Sequence, residues 1–188
     1  MGLLHSGRDG RARVVDRVRA FDDRVDAWVE RVRGPRLDPI FYGLSSAADH
    51  GLLWVAIGAK RAAMEGEPEI AWRLAAAMAV ESVLTNGPIK ACFRRVRPHH
   101  DLPDDGPLPY GMHRPISSSF PSGHAASAFT AAMLLADTPY APALFVLAAA
   151  VASSRVYVRM HHASDVLAGA AVGLAMGAIA RRVIPLSR

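Results

Sequence analysis

Apolar positions follow two patterns along the chain. Val14, Val18, Phe21, Val25, Trp28, Val29 and Val32 recur at three- and four-residue steps. That spacing predicts an amphipathic helix with one apolar stripe, ended by Gly34-Pro35. The helix either lies on its own bundle or sits in a membrane interface with its arginines toward headgroups. After Pro39 apolar residues come in continuous blocks: Ile40–Ala59, Ile70–Ile89, Ala125–Ala136, Ala141–Ser153 and Val166–Ala180. Lys60–Glu69 and Asp137–Tyr140 read as turns, and residues 98–120 as a longer polar loop.

The blocks show no period-two alternation, so the predicted fold class is all-α, a helical bundle. They are apolar all round rather than striped, which asks for burial on every side. Gly169, Gly173 and Gly177 form a small-residue ladder of the kind that lets helices approach closely in lipid. These features predict about five transmembrane helices plus the N-terminal amphipathic helix. Residues 1–39 form the interfacial helix and linker, and residues 40–188 the helical domain. A span needs roughly 20 apolar residues, and the first two blocks contain Asp49, His50, Arg73 and Glu81. A soluble helical bundle is therefore the alternative.

Composition narrows the classes. With 51% hydrophobic residues the chain is not disordered, and its mean hydropathy of +0.15 lies between soluble and polytopic proteins. The net charge of +5 suggests an anionic partner: nucleic acid, a phosphate ester or anionic lipid. The single cysteine, Cys92, excludes an internal disulfide and a cysteine-rich zinc site. Residues 1–36 are charged throughout, so no signal peptide is expected there.

Three segments at block ends could carry chemistry. In Lys90-Ala-Cys-Phe-Arg-Arg-Val-Arg97-Pro98, Lys90 and Arg97 would share a helix face two turns apart, stopped by Pro98. Such a pair could grip an anion, or simply complement a helix end. In Pro121-Ser122-Gly123-His124, Ser122 is a natural N-cap, and Gly123 lets a ligand approach the backbone. The helix start is then an anion site with His124 in its first turn. In Ser154-Arg155-x5-His161-x3-Asp165, His161 and Asp165 are four apart, so a carboxylate can fix an imidazole tautomer. That suits a nucleophilic histidine, or a structural ion pair.

Taken together and in this order, the three motifs resemble the type 2 phosphatidic acid phosphatase family. Vanadium-dependent haloperoxidases and bacterial acid phosphatases share the signature. The resemblance implies that Lys90, Arg97 and Arg155 bind phosphoryl oxygens, with Ser122 and Gly123 adding hydrogen bonds. It implies that His161 attacks phosphorus, Asp165 orients it, and His124 protonates the leaving oxygen and then activates water. Three cations and a helix start can balance phosphoryl charge, so neither metal nor other cofactor is expected.

Asp101, Asp104 and Asp105, and also His99, His100 and His113, lie in the polar loop and read as solvated rather than metal-binding. His162 reads as a contact residue, and Glu81 as a partner of Arg73 or another arginine. The implied function is an integral-membrane lipid phosphatase, with a lipid phosphate and the bilayer as partners and no nucleic acid. A polyprenyl phosphate, diphosphate or polyprenyl-linked phosphoribose of the bacterial cell envelope is the preferred substrate; phosphatidate or another glycerolipid is the alternative. A vanadate-dependent haloperoxidase and a non-catalytic membrane partner are the remaining classes. The arginine-rich start favours a multi-pass protein of the bacterial inner membrane with a cytoplasmic-facing site.

Overall fold

The computed structural model describes residues 3–98 and 117–186, with the side chains of 3–9 and 11 left aside. Among these residues seven α-helices and no strand occur: α1 Leu3–Val32, α2 Asp38–Ala47, α3 Leu52–Glu65, α4 Pro68–Leu84, α5 Gly123–Leu134, α6 Ala141–Tyr157 and α7 Ala163–Val183. The all-α expectation stands. The loop residues Asp101, Asp104, Asp105, His99, His100 and His113 lie outside the described part.

Helix α5 is the centre of the bundle, packed against α7, α6 and α4. Its Ala125, Ala126, Ala128, Ala131 and Ala132 are all completely buried. Short side chains bring neighbouring backbones close, and the glycines of α7 complete the fit. A Cβ on Gly169 would stand 2.3 Å from the Ser122 carbonyl oxygen, and one on Gly173 2.2 Å from that of Ala126. One on Gly177 would stand 2.7 Å from Met133 Cβ. Thr130 Oγ1 uses the close approach to donate to the Gly173 carbonyl at 3.1 Å. The ladder therefore sets the height of α7 against the start of α5.

Three expectations are corrected. The first apolar block is two helices, because Asp49–Gly51 form a 3-10 turn in which His50 (φ 54°) and Gly51 (φ 73°) are left-handed. Helix α3 then runs through Lys60 to Glu65. Its charged residues pair along an exposed face, Arg61 with Glu65 at 2.8 Å, and the stop comes only at Gly66 (φ 72°). The stripe of α1, for which a bundle face and an interface were both open, is largely outward: Val14, Val18, Phe21 and Trp28 are exposed and Val29 is buried, while the adjoining Asp22 is 1% exposed. Glu81 accepts from Ser127 Oγ at 2.6 Å and Arg73 donates to the Leu134 carbonyl at 2.7 Å, so neither needs the other.

Among the described residues one helix, α7, is long and apolar enough to cross a membrane by length and composition. Ile40, Leu52, Met64, Trp72, Val83, Val146, Leu167 and Val183 all point outward.

Gly173→Ala should destabilise the fold by about 1–3 kcal/mol, the usual cost of overpacking, because the added methyl meets backbone. Gly43→Ala, where a Cβ meets nothing within 4 Å, should leave the midpoint unchanged or slightly raised. Thermal unfolding followed by circular dichroism in detergent compares the two; equal midpoints would remove the ladder from the account of packing.

Candidate active site

A cavity of about 390 Å³ opens where α4, the Asp49–Gly51 turn, the start of α5 and the end of α6 meet. Lys90, Arg97, Gly123, His124, Arg155 and His161 line it, so six of the eight site residues expected from the sequence converge on one space. Ser122 and Asp165 are completely buried behind it.

The cations arrive from three directions. Helix α4 breaks into a π turn at Thr85–Ile89 around Gly87 and Pro88, and the helical stretch ends by Cys92. Arg97 therefore does not share a helix face with Lys90. It reaches the cavity along an extended segment, locked by donation to the carbonyls of Met160 (2.7 Å), Ser118 (3.2 Å) and Ser117 (3.3 Å). The Pro98 stop takes effect a turn earlier than its steric rule requires. Lys90 Nζ donates to Asn86 Oδ1 at 2.9 Å. Arg155, 6% exposed, donates to Ser45 Oγ, and among the described residues its buried Nε has no hydrogen-bond partner.

His161 lies in the short connection between α6 and α7, and its conformation fixes its tautomer. Its Nδ1 is 2.7 Å from the Ser119 carbonyl oxygen, which can only accept, so the proton sits on Nδ1. Nε2 then carries the lone pair and faces Arg97 Nη1 at 3.2 Å. Asp165 Oδ2 stands 3.7 Å from Nδ1, too far for a direct hydrogen bond. Ser119 therefore orients the ring, and Asp165 supplies charge. Burial, reinforced by Arg97 and Arg155 and opposed by Asp165, pushes the His161 imidazole down to about 3. It is neutral, the state a nucleophile needs.

Ser122 spends its hydrogen bonds on structure. Its Oγ caps α5 by accepting from the Ala125 N–H at 3.4 Å, and its own N–H donates to the Asp165 carbonyl at 3.0 Å. Both of these groups are thus engaged within the protein. A Cβ at Gly123 would stand 3.1 Å from Asn86 Oδ1, so a larger residue there would crowd the cavity wall. His124 faces the cavity from the first turn of α5, with Nε2 2.8 Å from Asp49 Oδ1.

Asp49, Ser119 and Arg95 carry no site role in the sequence reading. Asp49 and His50 did stand out as polar positions inside an apolar block. Ser119 acts through its backbone carbonyl, for which no residue type is a signal. His162, read as a contact residue, is the N-cap of α7, with Nδ1 3.2 Å from Asp26 Oδ2 of α1. Among the described residues no group of three or more His, Cys, Asp or Glu is placed to hold a metal.

Comparison with known proteins places this geometry. A decaprenylphosphoryl-5-phosphoribose phosphatase from Mycobacterium tuberculosis is 32% identical over 137 residues, covering 73% of this chain and 75% of the relative. The crystal structure of a transmembrane PAP2 type phosphatidylglycerolphosphate phosphatase from Bacillus subtilis superposes with a TM-score of 0.67 at 26% identity, covering 88% of this chain and 85% of the other. Aquifex aeolicus LpxE gives a TM-score of 0.67 at 27% identity, covering 85% and 93%. Residues 70–188, which carry every site residue expected from the sequence, match the model described as PAP2 superfamily, and the chain belongs to that superfamily of phosphatases.

Proposed function

We propose that this phosphatase hydrolyses a polyprenyl-linked phosphate, in the manner of a polyprenyl-linked phosphoribose, at a cytoplasmic-facing site in a bacterial inner membrane. The observation that carries the reaction is the neutral Nε2 of His161 facing a cavity that also holds Lys90, Arg97, Arg155 and His124. The similarity to a decaprenylphosphoryl-5-phosphoribose phosphatase supports the substrate class. A glycerolipid phosphate is the second reading, supported by the likeness to a phosphatidylglycerolphosphate phosphatase.

The steps use this chain's own groups. Lys90, Arg97 and Arg155 hold the equatorial oxygens, with the first-turn N–H groups of α5 adding positive potential. Nε2 of His161 attacks phosphorus as the bond to the leaving oxygen breaks. His124 donates its proton to that oxygen, leaving a neutral imidazole and a phosphorylated His161. The ring of His161 is now cationic, and Asp165 stands 3.7 Å from its Nδ1. His124 then takes a proton from water as the water oxygen attacks phosphorus and the P–N bond breaks. Phosphate leaves and both histidines return to their starting states.

Two observations support the membrane reading. Apolar side chains clad the outer faces of α3, α4, α6 and α7. Helix α1 touches the site end of the bundle through Asp22 and Asp26, so the arginine-rich segment and the cavity share one face. Basic segments stay cytoplasmic.

His161→Ala should abolish phosphate release, and His124→Ala should slow it about 10²–10⁴-fold while letting phosphoenzyme accumulate on a substrate with a good leaving group. Asp165→Asn should lower kcat more than it raises KM. A panel of purified lipid phosphates, with and without EDTA, reads all three. Full activity of His161→Ala, or abolition by EDTA, would overturn the mechanism; preference for phosphatidylglycerolphosphate would select the second reading.

Lys90 is pushed down to about 8, chiefly by burial, with Arg97 and Arg155 adding repulsion. A lysine with a lowered value is charged below it and neutral above it. Raising the pH through about 8 should therefore lower kcat/KM, while His161 stays neutral throughout. In Lys90→Arg the cation persists and that alkaline decline should vanish; a decline unchanged in Lys90→Arg would exclude Lys90 as its source.

Cys92 is exposed two residues beyond Lys90. An impermeant maleimide should label it in permeabilised cells and spare it in intact ones. Equal labelling of intact cells would place the site on the outer face.

A further inference from the structure

Helix α1 reaches the back of the catalytic histidine through charge. Asp22, 1% exposed, accepts the Ser164 N–H at 2.8 Å through Oδ1 and the Ser164 hydroxyl at 2.7 Å through Oδ2. It thus sits on the N-terminus of α7, where a negative charge is favoured. The same Oδ2 is paired with Arg95 Nη2. Arg95 Nη1 in turn donates to Asp165 Oδ1 and to Ser164 Oγ, both at 2.6 Å. The second Asp165 oxygen accepts the His162 N–H at 2.9 Å and faces His161 Nδ1.

We propose that Arg95, seated by Asp22 of α1, is the positioning residue of the Asp165–His161 pair, so that the N-terminal helix is a working part of the active site. The inference rests on the phosphohistidine reading above. Arg95 lies between Lys90 and Arg97 but does not line the cavity. It acts through Asp165.

Charge explains why two aspartates serve one arginine. Asp22, Arg95 and Asp165 together carry one net negative charge. With Arg95 and Asp165 alone that sum would be zero, leaving no net negative charge behind the cation that forms on His161 when it is phosphorylated. Interactions across a buried, low-dielectric gap of this size are substantial. Geometry matters equally, because Arg95 and the His162 N–H each hold one Asp165 oxygen, leaving the carboxylate no free rotation. A lysine at 95 would keep the charge but lose the planar fork that spans two carboxylates.

The test uses the full chain in detergent or proteoliposomes. Asp22→Asn and Arg95→Lys should each lower kcat about tenfold or more, with KM and the inhibition constant of inorganic phosphate unchanged, since the cation cradle is untouched. Glu30→Gln, on the same helix but paired with Arg33 and Arg159, should keep wild-type kcat. Arg95→Ala should regain activity with added guanidinium, and that rescue keeps the inference testable if the lysine variant folds poorly. Wild-type kcat in Asp22→Asn, a change in KM alone, equal losses in Glu30→Gln, or no guanidinium rescue would each overturn it. If His161→Ala is inactive while Asp22→Asn is normal, this inference falls and the phosphohistidine reading stands. Activity in His161→Ala would remove both.

Discussion

Lys90, Arg97 and Arg155 are drawn into one half-enclosed space, and like charges in a low dielectric repel. Everything around them works against that repulsion. Three backbone carbonyls hold Arg97. Ser45 and Asn86 engage Arg155 and Lys90, and Asp49 stands across the cavity beside His124. The carboxylate of Asp165 is near but lies behind His161, where it cannot neutralise the cradle directly. A phosphoryl group is the species whose charge and oxygen count answer this arrangement.

The cradle depends in turn on how closely α5 and α7 approach. Gly169 lets α7 rest on the Ser122 carbonyl, and the Ser122 N–H donates back to the Asp165 carbonyl. The start of α5, carrying Gly123 and His124, is thereby tied to the start of α7, carrying Asp165. A ladder that looks like membrane packing also fixes the distance between His124 and Asp165, the carboxylate 3.7 Å from His161 Nδ1. Packing and chemistry share the same contact, so a change at Gly169 would disturb both.

Two polar residues that the apolar pattern tends to hide prove to serve the site. Asp49 lies in the first apolar block, and only the left-handed turn at His50 and Gly51 swings it toward His124. Asp22 flanks the apolar stripe of α1, and the exposed stripe and the buried acid face different surroundings. The arginines of α1 suit a headgroup region while its acids dock on the protein. The helix is thus both a surface element and a contact of the cavity end of the bundle.

The sequence by itself determined the helical class, most of the apolar blocks and six residues that the fold brings to one cavity. Those features are local: helix periodicity, the Ser122 cap, the Gly123 opening and the order of three short motifs can be read without knowing what lies opposite. It could not determine the partners that arrive from far along the chain. The tautomer of His161 is set by the carbonyl of Ser119, a group every residue possesses. The spacing of Lys90 and Arg97 suggested a shared helix face, whereas the π turn and extended segment bring them together by another path. The Asp49–His124 contact and the Asp22–Arg95–Asp165 chain join residues some seventy positions apart. Only the close packing of α5 on α7, with α1 laid across the end, decides such meetings, because burial and a low dielectric turn proximity into chemistry.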